Sequence, residues 1–406
     1  MNFEVIKRSH VKRNILIGVL VVLILIAIIL TFTRAKYKIT ESIPLVNGTI
    51  NYELSDFNLI GAYIQTKGDN YTQVDEIPAS GYEFNSEKSY CTVNEENINA
   101  TLNYDMETQT LSVVPLTTKG TKCYLYFDEV SSASDIIEDA YEENQDMLAY
   151  DEHNNLRYIG ANPNNYVSFN DELWRIIGIF NDDTHGIAGQ KLIKIIRSES
   201  LGDLHWNTSD VGNWSTSSLQ VSLNNSYLNG SELGNGKGLS ETARNMTETV
   251  TWKLGGAASY TSVSDGLASH WYGYERGTKV YSGNPTIWQG KIGLMYPSDY
   301  GYATSGGSTT NREACLATAL YNWNSSSYSY CKNNDWLYNN DYQWTLTMLS
   351  SSPSTVFIVY NSGKVETSSI NLYASGAVRP SVYLKANVSI LSGDGTRANP
   401  YTLDIN

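Results

Sequence analysis

The sequence predicts an α+β protein built from a single N-terminal transmembrane helix, a small β-sandwich and a larger mixed head. Three observations predict it. An uncharged run extends from Ile15 to Thr33; short alternating segments follow it, with all four cysteines on its C-terminal side; and beyond Leu156 helical patterns join the strands.

The run holds Ile15, Leu16, Val19 to Ile26, Ile28 to Leu30 and Phe32, broken only by small or hydroxyl residues. At a helical rise its nineteen residues span about 28 Å, close to the hydrocarbon thickness of a bilayer. Residues 1–14 then form a short tail with Lys7, Arg8, Lys12 and Arg13, against Arg34, Lys36 and Lys38 beyond the span. Four cations against three give only a small orientation bias. The even cysteine count carries more weight and places the C-terminal side in an oxidising compartment. Thr31-Phe-Thr-Arg-Ala-Lys36 offers no small-x-small cleavage site, so the expectation is an uncleaved, single-pass anchor with an extracellular C-terminal region.

The formal net charge is −14, and without residues 1–33 it is −17, from 24 basic and 41 acidic side chains. Such a balance repels phosphate backbones and excludes nucleic acid as a partner. Thirty tyrosines and nine tryptophans among many small polar residues fit a β-rich extracellular module.

Residues 34–130 read as the sandwich. Thr49-Ile-Asn-Tyr-Glu-Leu, Ala100-Thr-Leu-Asn-Tyr and Thr110-Leu-Ser-Val-Val alternate, and Lys67-Gly-Asp-Asn70, Ala79-Ser-Gly81 and Lys119-Gly120 mark turns. Cys91 and Cys123 both fall in strand-like segments. Their bridge would contribute about 3–4 kcal/mol; two unpaired thiols are the alternative. Residues 131–156 read as a helical connector, with a helix over 134–149 capped by Ser134 or Asp135 and an apolar face of Ile137, Ala140, Tyr141 and Leu148.

Residues 157–406 read as the head. Tyr166-Val-Ser-Phe, a polar turn at Asn170-Asp-Glu172 and Leu173-Trp-Arg-Ile-Ile-Gly-Ile-Phe form a hairpin, and Lys191-Leu-Ile-Lys-Ile-Ile-Arg adds a strand. Helices are expected from Thr216 to about Gly230, from Ser240, and from Asn311 to Trp323. The last places Cys315 where a bridge to Cys331 would pin the helix end to the following loop. Residues 255–290 are a long Gly/Ser/Tyr/Trp stretch with little periodicity, and a loop of that length is usually functional. Strands follow at Trp344-Thr-Leu-Thr-Met-Leu, Val356-Phe-Ile-Val-Tyr, Lys364-Val-Glu-Thr and Val378-Arg-Pro-Ser-Val-Tyr-Leu.

Taken in order, Tyr166-Val-Ser-Phe-Asn-Asp-Glu-Leu-Trp-Arg-Ile-Ile-Gly, Ser218-Leu-Gln-Val-Ser-Leu-Asn-Asn-Ser-Tyr-Leu-Asn, Ile292-Gly-Leu-Met-Tyr-Pro-Ser, Trp344-Thr-Leu, Gly376-Ala-Val-Arg-Pro-Ser-Val-Tyr-Leu and Gly395-Thr-Arg-Ala-Asn-Pro-Tyr resemble a family of bacterial surface domains without a known function. That family is similar to the C-type-lectin-like superfold, which also houses formylglycine-generating enzymes. The resemblance implies two helices, a twisted antiparallel sheet and ligand-bearing loops on one side. It does not imply calcium-dependent sugar binding, because Gly283-Asn-Pro-Thr and Asn334-Asp-Trp depart from the lectin motifs. Nor does it carry over the oxidase, for which Cys315 and Cys331 would have to be a reactive pair rather than a structural bridge.

Chemistry elsewhere is sparse. Asp182-Asp-Thr-His185 lacks zinc spacing, Asp203 and His205 flank Trp206 without a nucleophile motif, and Gly393-Asp-Gly-Thr lacks the oxygen ligands of a calcium loop and the lysine of a phosphate loop. No cofactor, metal ligand or catalytic residue is expected. The candidate ligand-binding residues are Tyr260, Trp271, Tyr272, Tyr274, Tyr281 and Trp288, because aromatic side chains give contact area at low rotamer entropy and stack on sugar rings. The expected function is recognition of an extracellular glycan or protein by a membrane-anchored surface protein. The alternatives are an extracellular enzyme, either a formylglycine-generating-type oxidase or a glycan hydrolase, and a purely structural envelope protein.

Overall fold

The computed structural model describes residues 58–65, 70–78, 81–105, 110–114, 120–370 and 375–405. Two compact units emerge. Of the described residues, the first takes in 58–63, 71–78, 84–105, 110–114 and 120–127; the second takes in 64–65, 70, 81–83, 128–370 and 375–405.

In the first unit, β1 (Asn58–Gln65), β2 (Thr72–Val74), β3 (Tyr82–Phe84), β4 (Tyr90–Val93), β5 (Glu96–Asn97) and β8 (Lys122–Glu129) form a six-stranded sheet of order β2-β1-β8-β4-β5, with β3 also on β8. A separate hairpin pairs β6 (Thr101–Asp105) with β7 (Thr110–Val114). Strand β6 alternates exposed and buried residues, as its sequence predicts. Cys91 and Cys123 face each other across β4 and β8 and are joined.

The second unit is organised around a nine-stranded sheet. Its strands are β9 (Leu148–Tyr150), β10 (Leu156–Tyr158), β11 (Tyr166–Phe169), β12 (Glu172–Phe180), β13 (Leu192–Arg197), β17 (Ile292–Gly293), β22 (Ser381–Tyr383), β23 (Val388–Ser392) and β24 (Tyr401–Ile405), with the main order β17-β22-β13-β12-β11-β24-β23. Asn170 and Asp171 turn β11 into β12 with φ of 61° and 56°, the left-handed pair that a tight hairpin needs. Gly178 sits beside a register shift in β12, where a Cβ would meet the Leu156 carbonyl oxygen at 2.3 Å. A second sheet has the order β14-β21-β18-β19-β20, from β14 (Asp203–His205), β18 (Gln343–Met348), β19 (Thr355–Val359), β20 (Val365–Ser369) and β21 (Ser375–Ala377); β15 (Val250–Lys253) pairs with β16 (Ile287–Gly290).

The expected fold class needs correction. The described chain is mostly strands with short helices, and among the described residues no helix is long and apolar enough to cross a membrane. The span expected over 15–33 lies outside the described residues, as do the tail 1–14 and the strand expected at Thr49. Segment 131–156 falls within the second unit. Its helix is short, Ala133–Asp139, because Ser132 and Asp135 close a capping box at one end and the backbone tightens into a 3₁₀ turn after Ala140. Ala133 and Ile137 join the core, and β9 joins the sheet. The helix expected from Asn311 to Trp323 stops after Leu316; Asn311 caps it and a 3₁₀ turn carries Leu320 to Asn322. The helix expected near Thr216 starts at Ser218 under the Ser217 cap and widens into a π-turn over Ser222–Tyr227, with Leu219, Leu223 and Tyr227 buried. The stretch 255–290 contains a nine-residue helix, Ala268–Arg276.

Cys315 and Cys331 form the second bridge, closing sixteen residues. Two cross-links with no free cysteine among the described residues fit an oxidising, extracellular environment. Replacing both Cys315 and Cys331 by Ser should lower stability by about 3 kcal/mol, read as a fall in urea midpoint at unchanged slope.

Candidate functional site

The sequence-predicted aromatic residues divide into two groups. Trp271 and Tyr272 are core residues, at 0 % and 2 % exposure. The helix that carries them places Trp271 edge-on to Phe357 at 4.6 Å, while the Tyr272 hydroxyl meets Asn155, Thr184 and Asp183 within 3.1 Å. Tyr260 and Tyr274 are half-buried and pack against Trp271; Tyr260 also meets Tyr321 and Phe357. Tyr281 and Trp288 are half-buried; Tyr281 lines a cleft that contains residues sequence reading missed, and Trp288 only packs against one of them, Trp214.

One wall of this cleft is Asn213 and Trp214, held where the Asn213 side chain accepts from the Ser215 backbone and hydroxyl. Trp206 packs on Trp214 at 5.5 Å and Trp288 meets it edge-on at 6.3 Å. The opposite wall is Val280, Tyr281, Asn284 and Pro285, and the Asn284 amide donates to the Gly212 carbonyl at 2.6 Å, tying the walls together. Leu254, Leu346, Met348 and Ser350 also line it, as does Gly256, where a Cβ would meet the Met348 carbonyl oxygen at 2.4 Å.

Two polar atoms in this lining lack partners. Trp214, 1 % exposed, keeps its indole N–H unbonded, and the Ser350 hydroxyl is buried without a hydrogen bond. Neighbouring indoles are satisfied: Trp206 donates to Thr345 and Trp344 to Leu204. Trp174, Trp271 and Trp323 also lack an N–H partner but do not line the cleft. A buried donor left unmade costs about 1–3 kcal/mol, so a cleft whose lining residues carry two such groups is suited to a ligand with hydrogen-bonding atoms. The enclosed volume is about 10 Å³, room for one water-sized or methyl-sized group. Of the lining residues only Tyr281 is a titratable side chain, and none is a carboxylate, imidazole or amine.

A second cluster is deeply buried. Strand β13 has no exposed residue, yet Lys194 lies in its middle with a side chain 0 % exposed. Its Nζ donates to Asp299 Oδ2 at 2.6 Å. Asp299 Oδ1 accepts from Arg157 Nη1 at 2.9 Å, and Arg157 Nε donates to Asp151 at 2.8 Å. Burial pushes the Lys194 ammonium down to about 8 despite Asp299. Burial would raise the Asp299 carboxyl, but Lys194 and Arg157 together hold it below its usual value. Burial also carries the Glu275 carboxyl up to about 7, even though Arg276 and the Ser298 backbone and hydroxyl all donate to it. A lysine interrupting an apolar run of Leu and Ile was the one sequence signal for this cluster.

The segment Asp182–His185 is a short helix. His185 is 0 % exposed, its Nδ1 accepting from the Ile187 backbone and its Nε2 facing the Phe180 carbonyl; burial lowers its pKa. Among the described residues no group of three His, Cys, Asp or Glu side chains is arranged to hold a metal ion. Asp394 makes a local turn in which its side chain accepts from the Thr396 backbone N–H. No family model, curated protein or solved structure matches the chain.

Proposed function

We propose that the second unit is a recognition module that binds an extracellular glycan at the Trp214–Tyr281 cleft. The single observation carrying this reading is that two residues lining one cleft of aromatic and aliphatic groups, Trp214 and Ser350, carry an unpartnered indole N–H and an unpartnered hydroxyl. A sugar offers what this lining lacks: hydroxyl or carbonyl oxygens to accept from the indole, and apolar ring faces for Tyr281. The small enclosed volume favours a projecting substituent, such as a hydroxymethyl or acetamido methyl, with the remainder of the sugar lying outside. Absence of an acid–base pair in the lining supports binding over hydrolysis. The bridged Cys315 and Cys331 weigh against the oxidase reading. A C-type-lectin-like architecture for the head is part of this proposal, resting on the ordered motifs and on antiparallel pairing between the successive strands β11, β12 and β13.

The test is titration of the full chain against neutral and N-acetylated oligosaccharides, followed by calorimetry. Trp214→Phe keeps a ring but removes the donor and should weaken binding about tenfold, the value of one buried hydrogen bond. Tyr281→Ala should weaken it by a similar factor. Equal affinity of the Trp214→Phe and parent chains, or no binding to any member of the panel, would overturn the proposal.

A further inference from the structure

The Lys194–Asp299 contact has the components of a bond-forming site. Amine and carboxyl oxygen are 2.6 Å apart, both side chains are 0 % exposed, and among the described residues Nζ has no other hydrogen-bond acceptor. The amine is enclosed by rings: Tyr296 at 4.4 Å, Trp252 at 5.3 Å, Tyr383 at 5.6 Å and Phe180 at 5.8 Å from Nζ to centroid. The two carboxyl oxygens are held differently. Oδ1 receives the Arg157 guanidinium at 2.9 Å, whereas Oδ2 receives Lys194 and the Tyr296 backbone N–H at 2.9 Å.

We propose that Lys194 and Asp299 condense to an intramolecular amide, a covalent tie between β13 and the helix Pro297–Tyr302. The step balances without any co-reactant. One proton passes from Nζ to Oδ2 along their hydrogen bond, leaving a neutral amine beside a neutral carboxylic acid. The nitrogen lone pair attacks Cγ and the C–N bond forms, with the charge that develops on Oδ1 facing the Arg157 guanidinium. A second proton moves from nitrogen to Oδ2, the Cγ–Oδ2 bond breaks, and that oxygen leaves as water. Oδ1 remains as the amide oxygen against Arg157. Nothing is oxidised or reduced.

Two further features favour this outcome. Ionised, the carboxylate is a poor electrophile, and Lys194 and Arg157 favour that ionised form. The step therefore passes through the minor neutral pair, reached when the ammonium, itself disfavoured by burial, gives its proton to Oδ2. Charge balance also survives the reaction. One buried cation and one buried anion disappear together, while Arg157 keeps Asp151 and Arg276 keeps Glu275. Removing two desolvated charges in this way relieves a penalty that an ion pair in this position carries permanently. Holding the two groups in contact supplies the orientation that the same reaction lacks in water.

Peptide mapping of the purified full chain, denatured, reduced and digested with trypsin, decides the matter. The amide blocks cleavage at Lys194. The expected product is a branched peptide in which Leu192–Arg197 is joined to Ile292–Arg312. Its mass should be one water below the sum of the two segments, with fragmentation placing the link at Lys194 and Asp299. Asp299→Ala should abolish it. Recovery of Leu192–Lys194, Ile195–Arg197 and Ile292–Arg312 as separate peptides at their sequence masses would overturn the proposal and leave a plain buried ion pair. That result comes from the parent chain, so it stands even if the alanine variant fails to fold.

Discussion

Arg157→Met should lower the stability of the second unit by about 3–5 kcal/mol, the usual cost of removing one partner from a buried charge network. The guanidinium is 1 % exposed and bridges two carboxylates, Asp151 and Asp299. It also stacks over Phe180 at 4.2 Å, so part of the loss is packing. Methionine fills some of that volume but leaves Asp151 buried against only Asn155 and backbone donors. The measurement is the urea midpoint of the variant against the parent, paired with Lys191→Ala as a control. Lys191 is half exposed and pairs with Glu138, and exposed pairs contribute little, so the control should move by under about 1 kcal/mol. Similar shifts for both variants would show that the buried network is not a principal support of this unit.

Stability should fall as pH rises between about 4.5 and 7; Glu275 is one cause, and the buried Asp335 carboxyl, raised by burial, acts in the same sense. The folded pKa of Glu275, about 7, stands above the ordinary 4.5 because burial disfavours the carboxylate. Within that window the folded chain holds a proton that the unfolded chain has released, so the unfolded state gains relative stability with each step up in pH. The full swing is about 3–4 kcal/mol for this fully buried group. Asp151 acts in the opposite sense. Its carboxyl is held low by Arg157 against the effect of burial, so its contribution is present above the ordinary carboxylate range and is lost as pH falls through its folded value. The stability profile should therefore rise from strong acid to a maximum near pH 4.5 and decline toward 7. Glu275→Gln, which keeps an acceptor for Ser298 without the charge, should flatten the declining limb. A variant retaining the same slope would assign that limb to another group.

How much of this could be read from sequence differs by element. Strand β12 and its turn were legible because Asn170-Asp171 supplies the left-handed pair between two apolar runs. Both bridges followed from where the cysteines sat in their segments. Helix lengths were not legible. Tyr141, Tyr227 and Leu320 continue a helical pattern in sequence, but each is held by tertiary packing across a 3₁₀ or π segment. The aromatic stretch gave the right neighbourhood and an incomplete site. Tyr281 lines the cleft, yet Trp214 and Ser350, which carry its unpartnered polar atoms, come from segments remote in sequence. Composition gives no sign that Trp271 would turn inward and Tyr281 toward the cleft.

Strand β24 lies between β11 and β23, pairing in parallel with β11 through Val167–Tyr401 and Ser168–Thr402. An early hairpin therefore waits for a strand far downstream in the chain before its open side is closed. During export the polypeptide can thread as a loosely organised chain and zip shut only once residue 401 has emerged. Trimming before that point would expose the open side of β11 to strands of other molecules, making it an aggregation seed.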